Sequence, residues 1–424
     1  MGPVRRAVEQ AYHDEWARLV AVLARWTGDL DRAEEAVADA FATAVEAWER
    51  DGVPDNPAAW LQTAARRRVL DRVRRERTAS EKAPALYVDK AEPGPEEADV
   101  DDPFASAPGR DPDAAQDLLR LVFTCCHPAI APAAQVGLAL RLLCGLTTDE
   151  VARAFGVPAA TVAQRVVRAK KKVRDAGIPF AVPTATELPA RLPAVLAVVG
   201  LVYTEGHAAT EGPELVRADL CDSALRLAGL LHRLLPHEPE VSALRSLLLV
   251  TDARRDARLD ATGRLVRLAD SDRTRWRHAD LDLGVDLATE SLMRSGRAPG
   301  PWTLQAAIAV ANAAPVPDRS VIAALYDRLA VVHPSRAVLA NRAAATALAA
   351  GPRAGLAALG DLQGGHLVHA LRAELLAELG RGDDAAEAFR AAISSARNEV
   401  ERRHLADRAA MLGLPPLTGD PAPG

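Results

Sequence analysis

The chain has 424 residues, a formal net charge of −5 and only 4% aromatic residues, with 49% hydrophobic and 26% charged residues. That length exceeds one ordinary domain, and that balance excludes a largely disordered or fibrous protein and favours helices. Net acidity excludes a globally basic nucleic-acid binder, so any such affinity rests on local patches; four cysteines exclude a disulfide scaffold.

In chain order, a first amphipathic helix is expected from about Arg5 to Trp26, with Tyr12, Trp16, Leu19, Val20 and Leu23 on or near one face, closed by Gly28. The N-terminus has no apolar leader core and no apolar run reaches membrane-spanning length, so the expected location is the cytoplasm, with no membrane partner. Asp31 and Glu34 have capping-box spacing for a second helix, in which Ala33, Val37, Ala40, Phe41, Ala44, Val45 and Trp48 recur at three- and four-residue steps. Arg32, Glu35, Asp39, Thr43 and Glu46 fall on its exposed side.

Glu49 through Pro57 reads as a loop, and a third helix follows from Trp60 with seven arginines between Arg66 and Arg77. Ala65, Val69 and Val73 stack on one side of it, while Arg67, Arg68, Arg74 and Arg75 occupy the opposite arc. Residues 1–77 are therefore expected to form one helical domain. From 78 to 113 apolar periodicity disappears, and ten carboxylates face three cations among interspersed prolines. This is the composition of a flexible acidic linker that leaves its neighbours independently placed.

Residues 114–178 form a second helical unit, and within it 146–178 read as helix, glycine-centred turn and helix, the arrangement of a helix-turn-helix that binds duplex DNA. Advancing 100° per residue from Val162 places Val166, Ala169 and Val173 within about 40° of one line, an apolar stripe that faces the domain. Thr161, Gln164, Arg165, Arg168, Lys171 and Lys172 gather on the far side, with Pro158 in the first turn and Gly156 relieving the turn before it. Cys125 and Cys126 lack metal-ligand spacing and are expected as core thiols; no metal or cofactor is expected anywhere in the chain.

Residues 184–424 show helical patterns separated by Gly and Pro with no strand-rich section, so the whole chain is expected to be all-α. Ala373, Leu376, Ala385, Phe389 and Ala392 fit a tetratricopeptide-like pair of helices, and 335–359 looks like a degenerate preceding unit. Glu205, His207, Asp219, Asp270 and Asp272 include acid-base types, yet no ordered ligand motif, nucleophile elbow or phosphate loop accompanies them. Asp270 to Trp276 reads as a loop of charge pairs and caps, and no enzymatic activity is expected.

Together these segments resemble the extracytoplasmic-function type of bacterial RNA polymerase sigma factor, in the subgroup with a long C-terminal tetratricopeptide-like extension. The resemblance is carried by Asp31 to Phe41, by Asn56-Pro57-Ala58-Ala59-Trp60-Leu61 with Ala65 to Asp71, by Phe123 to Pro128, by Arg168 to Lys172 and by Gly177 to Phe180. In the extension it is carried by Asp219 to Ala224, Asp252 to Arg255 and Leu304 to Val310, while Tyr203 to His207 only approximates the subgroup's segment.

The resemblance implies binding to core RNA polymerase through Arg32, Glu35, Asp39 and Phe41. It also implies minus-ten promoter DNA held by Asn56, Trp60, Arg66, Arg67, Arg68, Arg74 and Arg75, although Arg67 stands where the family commonly has Asn. Thr161, Gln164, Arg165 and Arg168 would enter the major groove of the minus-thirty-five element with Lys171 and Lys172 on its backbone, and the extension would regulate activity, contact polymerase or take a regulatory protein. The competing reading is a polymerase-independent helix-turn-helix regulator with a sensing or oligomerising C-terminal domain; it leaves the second arginine-rich helix and the acidic spacer without a purpose.

Overall fold

The computed structural model describes residues 3–82, 114–155, 157–210 and 214–414. Among these residues the fold is all-α, without a strand beyond an isolated bridge between Leu259 and Leu265. They form two compact units, one of 1–153 with 157–198 and one of 154–156 with 199–424.

In the first unit α1 (Pro3–Thr27) ends at Gly28, whose positive φ of 66° suits a residue without a Cβ. The Asp29 side chain then accepts from the backbone N–H of Asp31 and Arg32 and opens α2 (Leu30–Asp51). The expected Asp31–Glu34 capping box is thus replaced by Asp29, and Glu34 is spent on a different task described below. Gly52, at φ 87°, closes α2, and α3 (Pro57–Lys82) runs past the boundary expected at 77. The rest of the expected linker lies outside the described residues.

The four helices α4 (Ala114–Cys125), α5 (Pro132–Leu142), α6 (Thr148–Ala154) and α7 (Ala159–Asp175) follow. A reciprocal capping box does open α6: Glu150 N donates to Thr147 Oγ1 at 3.2 Å, and Thr147 N donates to the Glu150 carboxylate at 2.7 Å. Pro158 is the residue just before α7 and not its first turn, and Gly156 lies outside the described residues. Cys125 and Cys126 are buried, and burial pushes the Cys126 thiol up to about 12.

Helix α8 (Leu188–His207) corrects one expectation, because it is long and apolar enough to cross a membrane by length and composition. Half of that apolar window is buried in protein, and Pro193 interrupts it. In the second unit come α9 (Ala218–Leu234), α10 (Pro239–Asp252), α11 (His278–Ser295), α12 (Pro301–Ala313), α13 (Arg319–Val332), α14 (Arg336–Ala350), α15 (Pro352–Leu359), α16 (His366–Glu378), α17 (Gly382–Ser395) and α18 (Glu399–Met411). Most pack mainly on their chain neighbours, and α12 also lies against α10. Ala373 and Leu376 of α16 meet Ala385, Phe389 and Ala392 of α17 in one buried cluster, so small residues let a large one interlock. Before them, Gly351 at φ 91° turns α14 into α15.

Candidate nucleic-acid interface

On α7 the apolar stripe turns inward: Val162, Val166 and Ala169 are buried. Gln164, Arg168, Lys171 and Lys172 are exposed, with Thr161 and Arg165 half-buried at the edge of the same face. Val167 stands among them at 64% exposed, an apolar side chain on a cationic surface. Periodicity alone passed over it. Its methyl groups suit the thymine methyl at a major-groove edge, where the neighbouring polar groups would take base and phosphate contacts.

A second cationic surface lies on α3. Asn56 accepts from Ala59 N at 3.0 Å and caps the helix, holding the loop at its start. Trp60 is half-buried, its ring 5.7 Å from that of the buried Trp48 in an edge-on arrangement. Pro54, Asn56, Trp60, Thr63, Arg67 and Arg68 border a cleft of about 580 Å³, and Arg68 also donates to Thr43 Oγ1 at 2.8 Å. Arg67, Arg68, Arg74 and Arg75 are exposed and Arg66 half-buried. The loop thus meets Arg67 and Arg68, with Asp71 beside them, at one opening with an aromatic wall. That combination suits a single base held beside its phosphates.

Residues 12–79 match the Sigma-70 region 2 family, 122–173 match Sigma-70 region 4, and 191–292 match a family of unknown function called DUF6596. The chain is also 39% identical over 407 residues to an uncharacterized protein of Rhizobium meliloti (strain 1021), covering 94% of each chain. No solved structure matches. The chain belongs to the extracytoplasmic-function sigma factors with a C-terminal extension. Sigma factors perform no catalysis themselves, and their region 2 and region 4 domains engage core RNA polymerase and promoter DNA.

In this sigma factor region 4 is packed onto region 2. Glu34 of α2, 7% exposed, accepts from Lys170 Nζ of α7 at 2.5 Å and from the Arg141 guanidinium of α5. Lys170, 8% exposed, also reaches Asp31 at 2.7 Å, and Arg174 lies 3.5 Å from Asp31. Burial alone would lower the Lys170 ammonium, but Glu34 and Asp31 outweigh it and its pKa is raised. Lys170 was legible only as one cation in a run. Its acidic partners lie far away in sequence, which no helical period can report.

Aromatic contacts extend this junction. Tyr12 Oη donates to Gly145 O at 2.6 Å and Trp16 Nε1 to Arg141 O at 3.1 Å, and burial pushes the Tyr12 hydroxyl up to about 12. Gly145 has φ 73°, and a Cβ there would stand 2.6 Å from the Tyr12 ring. Gly145→Ala should therefore cost about 1–3 kcal/mol through backbone strain and overpacking, read as a lower urea midpoint at unchanged m-value. A midpoint equal to the parent's would contradict this packing.

Of the residues expected to meet polymerase, Glu35 and Asp39 are exposed and Arg32 is half-buried, all three beside a cleft of about 330 Å³ between α2 and α3. Glu35 is paired with Arg72 of α3. Phe41 is different. At 5% exposed, with its ring 4.9 Å from that of Tyr12, it is a core side chain and offers no surface to a partner. The α2 period counted it among the apolar positions, the resemblance alone made it a polymerase contact, and Tyr12 and Trp16 of α1 cover it.

In the extension the motif residues converge on a buried polar cluster. Tyr203 Oη is 3.3 Å from Asp252 and from His207 Nδ1, and Arg255 bridges Asp252 and Asp222 at 2.9 and 2.7 Å. Burial, reinforced by Arg258, Arg254 and Arg255, lowers His207 to about 2, so the ring is neutral. Glu205 accepts from Thr210, and Asp270 pairs with Arg267. Asp272 caps the short turn at Thr274, so these side chains hold loops in place.

Proposed function

We propose that this sigma factor directs promoter-specific initiation, with region 2 reading the minus-ten element and region 4 the minus-thirty-five element. The observation that carries this is the cleft of about 580 Å³ beside Trp60 at the start of α3, because a helix-turn-helix alone would serve a simple regulator equally well. An unstacked base of the non-template strand enters the cleft against Trp60 while Arg66, Arg67, Arg68, Arg74 and Arg75 take phosphates. Thr161, Gln164, Arg165, Val167 and Arg168 read the major groove, and Lys171 and Lys172 hold its backbone. Arg32, Glu35 and Asp39 face core polymerase. Activity takes place in the cytoplasm, and the tetratricopeptide-like helix pairs of the extension regulate it by contacting polymerase or a regulatory protein.

The packed arrangement is the resting form. The two promoter elements are centred about 25 base pairs apart, roughly 85 Å along the duplex. α3 and α7 both contact α2 or its neighbours, so they are held within about two or three helix widths, roughly 20–30 Å. One molecule reads both elements only after Lys170 and Arg174 leave Glu34 and Asp31. The acidic stretch beyond α3, residues 83–113, could span at most about 105 Å, enough for that separation.

Holoenzyme carrying Trp60→Ala with Arg67→Ala is expected to bind promoter fragments yet lose permanganate reactivity of minus-ten thymines by roughly ten-fold or more, the loss of about 1–3 kcal/mol of stacking. Full thymine reactivity in that variant would remove the cleft from promoter opening.

A further inference from the structure

Within the C-terminal unit, α10, α12, α13 and α14 border a half-open cleft of about 570 Å³, a size that holds a small molecule. No motif or family assignment above gives it a task. Its lining mixes apolar side chains, Trp276, Ile308 and Leu329 among them, with polar ones, and no Asp or Glu lines it.

Arg254 is the one permanently charged side chain of the lining, which also includes His333. Arg254 belongs to a group of four arginines that also includes Arg255, Arg258 and Arg277. Arg255 is bound to Asp252 and Asp222, Arg277 to Asp252 and Asp280, and Arg258 to the His207 carbonyl. The Asp252 carboxylate is therefore occupied by the other members. Arg254 lines the cavity and its guanidinium makes no hydrogen bond or ion pair among the described residues. Burial depresses its pKa from the ordinary arginine value, the mark of a cation short of a counter-charge.

The other polar groups of the lining fit the same purpose. The Tyr326 hydroxyl and the Asn341 amide have no side-chain hydrogen bond among the described residues, and Asn312 spends its Nδ2 on Ile308 O, leaving its carbonyl oxygen. A guanidinium, a hydroxyl and an amide can all donate to one carboxylate, the guanidinium through two parallel N–H groups. One fixed cation neutralises one negative charge, whereas a phosphate dianion would be only half-compensated by Arg254. The apolar part of the lining asks for a body of hydrocarbon.

We propose that this cavity binds a small organic monocarboxylate, its carboxylate on Arg254 with Tyr326 and Asn341, and its aromatic or aliphatic body against Trp276, Ile308 and Leu329. The site makes the extension a ligand-responsive module, and its occupancy can be measured without polymerase or promoter.

The test is isothermal titration of the full chain with indole-3-acetate and, separately, octanoate, which distinguish an aromatic from an aliphatic ligand. Indole-3-acetamide and inorganic phosphate serve as controls. At least one carboxylate should bind saturably at millimolar concentration or below, the amide at least ten-fold more weakly, and phosphate not at all. Arg254→Met should abolish binding while near-ultraviolet circular dichroism stays native. Asn341→Leu, which fills the cleft without touching the arginine group, should weaken it at least ten-fold. The assignment is overturned if neither carboxylate binds, if the amide or phosphate binds as well as the carboxylate, or if folded Arg254→Met or Asn341→Leu keeps the parent affinity.

Discussion

Glu34→Ala is expected to loosen region 4 from region 2 by up to about 3 kcal/mol, because it leaves the Arg141 guanidinium without a carboxylate and the buried Lys170 ammonium with Asp31 alone. Lys170→Met should cost far less, since Glu34 keeps Arg141 and the methionine stem refills the space. The order of the two variants is the informative result, measured as urea midpoints and as the radius of gyration in solution. Equal effects, or none from Glu34→Ala, would contradict the buried contact. The contribution of Lys170 also has a pH signature. Its pKa is raised above 10.5 in the folded chain, so its stabilisation is complete below that value and is lost as pH rises through the folded value. If release of α7 limits promoter engagement, Glu34→Ala should also speed formation of the promoter complex.

The second large effect belongs to the exposed face of α7. Arg165→Ala combined with Arg168→Ala should weaken binding to the minus-thirty-five element by about 2–6 kcal/mol if both arginines read bases, at about 1–3 kcal/mol each. If one of them instead meets a phosphate, the slope of log affinity against log salt should fall by about 0.9. The two outcomes separate base reading from backbone contact for each residue. Affinity and salt slope both equal to the parent's would exclude this face from DNA.

These two predictions mark where sequence is informative. The stripe of Val162, Val166 and Ala169 follows helical phase alone, so the outward direction of Gln164 and Arg168 was legible before any tertiary contact was known. The same holds for the α16–α17 interlock around Phe389, where neighbouring helices share one hydrophobic pattern. Long-range choices were hidden. Asp31 and Glu34 have the spacing of a local cap, yet their partners Arg141, Lys170 and Arg174 are brought to them by the packing of α5 and α7. The apolar period already placed Phe41 inward, against the polymerase role that the resemblance implied, and Arg254 is distinguished from three neighbouring arginines only by which carboxylates the fold delivers.

The account stands on this chain acting as the specificity subunit of RNA polymerase. The most direct measurement is run-off transcription by core polymerase reconstituted with the purified full chain on genomic fragments, with start sites mapped. The account predicts stable association and transcripts from discrete start sites that vanish when the chain is omitted and fall with the Trp60→Ala, Arg67→Ala double variant. Failure to bind core polymerase, or an unchanged set of transcripts with and without the chain, would contradict it.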